Sequence, residues 1–177
     1  MHPYVYAYMK KINNTNPVRD TFSELYNIAP PMLKLYVDRL ANVPQNEKWH
    51  PEGNTLIHTQ IVVNRLGSAY PNNKILQFGG LFHDLGKFDA YEYNDGSHNA
   101  YGHEKFSTYY VQYFWSWLST FSINPDDVKE IVGNHMIIKN FSGFRSHHQN
   151  QIKKLNTYED LVRFSVADSK IISIDNP

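Results

Sequence analysis

Four histidines and two aspartates carry the residue types that could act together: His58, the adjacent His83 and Asp84, His103, His135 and Asp168. Imidazole nitrogens and carboxylate oxygens are the donors of a borderline divalent ion. They do not by themselves choose among manganese, cobalt, nickel, iron, zinc and magnesium. Such an ion would activate water and neutralise charge on an oxyanion. Each residue also has a plainer reading. A lone histidine on an apolar helical face, such as His58 beside Ile57 and Ile61 or His135 beside Val132, is more often a hydrogen-bonded core residue. Asp168 resists that reading, because it stands among Phe164, Val166, Ala167 and Ile171, where an unpaired carboxylate carries a heavy desolvation penalty. A metal would remove the penalty, and so would a buried arginine or a helix N-terminus, but Asp168 lies late in its own segment.

The elements that must position these residues are helical. Apolar residues recur at helical spacing through Phe22–Ile28, stopped by Pro30-Pro31, and through Leu33, Val37 and Leu40. Asn54 or Thr55 can cap a helix carrying His58 and closing near Gly67. The next runs from about Asn73 to Gly86. Its Gly79-Gly80 pair costs about 1 kcal/mol per glycine relative to alanine, which predicts close approach of a neighbouring helix. Neighbours on a helix point about 100° apart, so His83 and Asp84 can serve one site only if the helix ends there, or serve two ions. Residues 88–101 read as a loop, Gly102–Thr120 as one long aromatic helix, Pro125 onward as a helix carrying His135, and Asn156–Ile171 as the last helix. No stretch alternates with period two, so the expected fold class is all-α. Residues 1–20 read as an N-terminal arm and 21–177 as a single domain.

Composition bounds the function. The chain has 177 residues, with 41% hydrophobic and 19% charged, enough for one domain with its own core. Thirteen tyrosines and ten phenylalanines are first of all packing material. Cysteine is absent, which excludes disulfides, thiolate nucleophiles and thiolate-bound zinc. A formal net charge of zero offers no field for a long nucleic-acid duplex. Without a signal-peptide pattern or a membrane-length apolar run, the expectation is a cytoplasmic protein with no membrane partner.

The order His58…His83-Asp84…Asp168 resembles the HD-domain metal phosphohydrolases, an all-α superfamily. Residues 49–170 are closer still to the HD domain of bacterial tRNA nucleotidyltransferases, the CCA-adding enzymes. The segments that carry this are Trp49-His50-Pro51-Glu52, Ile57-His58-Thr59, Leu81-Phe82-His83-Asp84-Leu85-Gly86-Lys87, Tyr101-Gly102-His103-Glu104, Val132-Gly133-Asn134-His135 and Phe164-Ser165-Val166-Ala167-Asp168. With no nucleotidyltransferase segment ahead of them, the resemblance implies the branch's other activity, hydrolysis of phosphoesters such as 2′,3′-cyclic phosphates. It also implies two ions, one held by His58, His83 and Asp168, the other by His103 and His135, with Asp84 bridging. Lys87 would hold a phosphate oxygen, unless it only complements a helix C-terminus. A basic, aromatic stretch between Lys139 and Lys154 that includes Arg145 could receive a nucleotide or RNA end, and His50 and Glu52 could line the entrance. Two rivals share the superfamily: a mixed-valent di-iron oxygenase and a non-catalytic nucleotide-binding module.

Overall fold

A computed structural model describes residues 19–46, 53–94, 97–139 and 141–169. Helix α1 (Thr21–Ile28) starts where the Asp20 carboxylate accepts from the Ser23 N–H. It is followed by α2 (Pro31–Asp38), with proline at its first position, and a 3-10 turn at Arg39–Asn42. Helix α3 (Thr55–Ala69) is capped by the Asn54 side chain on the Ile57 N–H. Helix α4 (Lys74–Phe82) is capped in the same way by Asn73 on Leu76.

α4 is the axle of the domain. Every residue from Leu76 to Phe82 is buried, so its apolar surface runs all the way round. It packs between α3 and α8 (Pro125–Lys139) and against α6 (His103–Tyr113). The glycine pair has the predicted reason: a Cβ on Gly79 would lie 3.0 Å from an Ile131 methyl, and one on Gly80 would lie 3.0 Å from Leu66. Two apolar clusters result. One joins α1, α2, α4, α6 and α8, and the other joins α3, α4 and α8 to α10 (Tyr158–Ala167).

The all-α expectation holds, with local corrections. Residues 88–101 are not a structureless loop: α5 (Lys87–Ala90) leads into an antiparallel hairpin of β1 (Glu92–Asn94) and β2 (Ser97–Asn99). The pairing is too short for a period-two pattern to register. The aromatic helix breaks at Phe114 into α6 and α7 (Trp115–Ser119). Buried Val111, Phe114 and Leu118 follow the core, while Tyr109 and Tyr113 are exposed. The basic stretch is also structured, with a 3-10 turn at Phe141–Gly143 and α9 (Ser146–Ile152). Among the described residues, no helix is long and apolar enough to cross a membrane.

Candidate metal centre

All six predicted ligands converge. His58 comes from the first turn of α3, the His83-Asp84 pair from the turn closing α4, His103 from the start of α6, His135 from α8 and Asp168 from the C-cap of α10. None is more than 5% exposed. They form two groups, His58–His83–Asp168 and Asp84–His103–His135, with the donor atoms in each group within 4.8 Å of one another. The carbonyl ends of α4 and α10 meet here, and the negative end of a helix dipole favours a cation.

The local chain explains the convergence. α4 ends at Phe82, so His83 and Asp84 leave it in different directions and enter different groups. The turn is tied to α6 by Ser107, whose Oγ accepts from the Gly86 N–H at 2.9 Å and donates to the His83 carbonyl at 2.7 Å. Gly86 has an ordinary φ of −72°, so its role is space rather than conformational freedom. A Cβ there would overlap the His103 carbonyl oxygen. Arg65 donates to the carbonyls of Ala167 and Ser169, which holds the chain on either side of Asp168.

The histidine tautomers follow from these contacts. His83 Nδ1 lies 2.8 Å from the Gly80 carbonyl, His103 Nδ1 2.8 Å from that of Ala100, and His135 Nδ1 2.7 Å from that of Val132. A carbonyl only accepts, so each Nδ1 must carry its proton, which in the neutral ring leaves Nε2 with a bare lone pair. His103 Nε2 and His135 Nε2 then face each other at 3.1 Å. Burial, with the His83 and His103 rings adjacent, pushes the His135 pKa well below the usual imidazole value and keeps that ring neutral. His83 Nε2 is buried and has no hydrogen-bond partner. Two bare lone pairs in contact and one orphaned nitrogen are what a bound cation would satisfy.

The shorter donor separations fit a shared ion, while two others, at 3.8 and 3.9 Å, are wider than it would set. Donors about 2.1 Å from a shared ion, at right angles or tetrahedrally, stand about 3.0–3.4 Å apart. Asp84 Oδ1 lies 3.2 Å from His103 Nε2, while His58 Nε2 lies 2.9 Å from Asp168 Oδ1 and His83 Nε2 3.9 Å from it. Asp84 turns one oxygen to each group, since its Oδ2 is 3.2 Å from His83 Nε2 and 3.8 Å from His58 Nε2.

Burial on its own would raise both carboxylate pKa values. It is outweighed by the ammonium groups beside them, Lys87 at Asp84 and Lys139 at Asp168, so both fall well below the ordinary carboxylate range. The partner of Asp168 is therefore neither arginine nor a helix N-terminus: the Lys139 Nζ stands 2.7 Å from its Oδ2.

A cavity of about 670 Å³ opens over the centre, lined by Asp84, His103, His135 and Asp168 together with Lys87 and Lys139. Lys87 Nζ sits 2.8 Å from Asp84 Oδ2 and 2.6 Å from Gln45 Oε1, which makes it more than a helix-end charge. Arg145 does not reach this place: it is exposed, precedes α9, and does not line the cavity. His50 and Glu52 lie outside the described residues. Sequence reasoning missed Gln45, whose Nε2 is buried without a partner at the cavity wall, and the Tyr91–His98 pair, joined at 2.7 Å across the hairpin. A glutamine after a proline carries no sequence signal, and the hairpin pairing needed tertiary placement.

No protein-family profile matches the chain. No solved structure matches it. A 51-residue stretch, 29% of the chain, is 53% identical to the Multifunctional CCA protein of Shewanella frigidimarina. A stretch of the same length is 45% identical to the Multifunctional CCA protein of Vibrio cholerae and 43% identical to that of Vibrio vulnificus. In each case the match spans only 12% of the longer protein.

Proposed function

We propose that the protein is a metal-dependent phosphohydrolase acting on a nucleotide-type phosphoester, a 2′,3′-cyclic or terminal phosphate on a nucleotide or RNA end. The observation that carries this reading is the donor set: Nε2 lone pairs, fixed by Nδ1–H bonds to carbonyls, converge with a two-faced carboxylate on the floor of an open cavity. His58, His83 and Asp168 would hold one divalent ion, His103 and His135 a second, with Asp84 bridging. Ions bound there would supply activated water and neutralise charge on the phosphate.

The chain's own residues do the rest. Hydrogen bonds to carbonyls lock three rings in the ligating tautomer. Phe164, with its ring 5.3 Å from that of His83, closes the back of the site to water. Lys87, steadied by Gln45, is the cation for a phosphate oxygen. The cavity is in the usual size range for a small-molecule ligand, about 300–1,000 Å³. Kinship of a short stretch with Multifunctional CCA proteins supports a nucleotide or RNA end as the substrate.

The test is a panel of nucleotides, cyclic nucleotides and RNA ends, assayed with manganese, cobalt, nickel, zinc and magnesium. Phosphoester cleavage that depends on the added ion is expected. Iron-loaded protein that consumes dioxygen without cleaving phosphoesters would replace the hydrolase with an oxygenase. Full metal occupancy with no turnover across the panel would make it a nucleotide-binding module.

A further inference from the structure

Both carboxylates of the centre are neutralised by lysines, and one of these lysines has no role in the mechanism above. Lys139 is the last residue of α8, one turn beyond His135, and its Nζ lies 2.7 Å from Asp168 Oδ2. Its side chain is 30% exposed whereas that of Asp168 is 1% exposed, so the ammonium lies between the buried carboxylate and solvent. Both Lys139 and Lys87 line the cavity, and they come from different elements.

The two aspartates and the two lysines paired with them sum to zero formal charge. At Asp84 the same oxygen, Oδ2, faces Lys87 and His83, whereas at Asp168 the histidines face Oδ1 and Lys139 faces Oδ2. A divalent ion on Asp168 Oδ1 would compete with Lys139 for the carboxylate's charge rather than for the same lone pairs. Ion loading therefore weakens the lysines' hold on Asp84 and Asp168 and makes the centre strongly positive. A four-carbon stem lets an ammonium swing without backbone movement. The cavity it lines can then offer it an anion.

We propose that Lys139 is a second anion-gripping residue of the substrate site: it pairs with Asp168 until divalent ions take that carboxylate, then turns to a non-bridging phosphate oxygen alongside Lys87. The proposal rests on the metal-centre reading above. Metal and phosphate thus pull on Lys139 in opposite senses, which a structural lysine would not show.

Lys139→Met keeps the stem and removes the charge. The whole chain is titrated with manganese, and the loaded protein is then titrated with inorganic phosphate. Removing a competing cation should tighten manganese binding by roughly threefold or more. Losing a charge-assisted bond should weaken phosphate binding by about tenfold or more. Lys139→Arg should keep phosphate affinity within about threefold of the parent protein, because the charge remains. If manganese affinity falls in Lys139→Met, or phosphate affinity is unchanged, the proposal is overturned. If the parent chain takes up no divalent ion at all, the metal reading itself fails and this proposal falls with it. If the parent loads normally but its phosphate affinity ignores both substitutions, only this proposal is lost.

Discussion

Adding one methyl group at Gly86 should disable half of the centre while leaving the other half in place. The Cβ of Gly86→Ala would overlap the His103 carbonyl oxygen and stand 2.6 Å from both Phe106 Cβ and the Ser107 nitrogen. Carbon contacts are comfortable only near 3.5 Å, so the first turn of α6 must retreat by about 1 Å. None of these atoms is the far end of a flexible side chain, and relief has to move backbone. His103 begins that turn, and its Nε2 is within 3.2 Å of Asp84 and 3.1 Å of His135. A retreat of this size would take it out of the Asp84–His103–His135 group, while His58, His83 and Asp168 lie on other elements.

Overpacking of this kind costs about 1–3 kcal/mol. For a domain of this size that lowers the melting temperature by roughly 3–10 °C. Metal content should fall from about two ions per chain to about one. Gly143→Ala is the control, since nothing lies within 4 Å of its added Cβ. Thermal melts and metal analysis of the purified proteins decide the matter. If Gly86→Ala melts with the parent and keeps the full metal complement, the reasoning from close packing to ligand placement is wrong.

Three other outcomes follow from the same geometry. Ser107→Ala strands the buried Gly86 N–H and His83 carbonyl together, and should cost on the order of 1–3 kcal/mol in a denaturant titration, more than a surface serine would. Asp84→Asn should lower occupancy of both groups, whereas His103→Ala and His58→Ala should each remove about one ion, read by metal analysis. In chelator-treated protein, the folded pKa values of Asp84 and Asp168 lie below their unfolded value of about 3.9. Their contribution to stability is therefore present above that pH and is lost as pH falls towards the lower folded values. Acid titration of the melting temperature should show the loss in the parent protein and a shallower one in Asp168→Asn.

Much of the fold was legible because helices announce themselves locally. Asn54 as a cap, Pro125 as a first residue, and the apolar spacing around Leu76–Phe82 are all short-range signals. The hairpin at 92–99 and helix α9 were not legible, since a three-residue strand pair and a polar seven-residue helix lack a period long enough to register. The break at Phe114 has the same character: an aromatic run reads as continuous until packing turns it.

Residue types, their order along the chain and the resemblance that order carries were enough to name six candidate donor side chains, because nitrogen and oxygen donors are a matter of chemical identity. Tertiary structure alone decided how they are shared. Which oxygen of Asp84 faces which histidine, which carbonyls hold the Nδ1 protons, and which amine sits on Asp168 all depend on contacts between elements far apart in sequence. Arg145 shows the limit from the other side: its charge suited an anion, but the fold leaves it outside the cavity while Lys139, six residues earlier, reaches Asp168. Charge is written in a residue, whereas position comes from the helices that carry it.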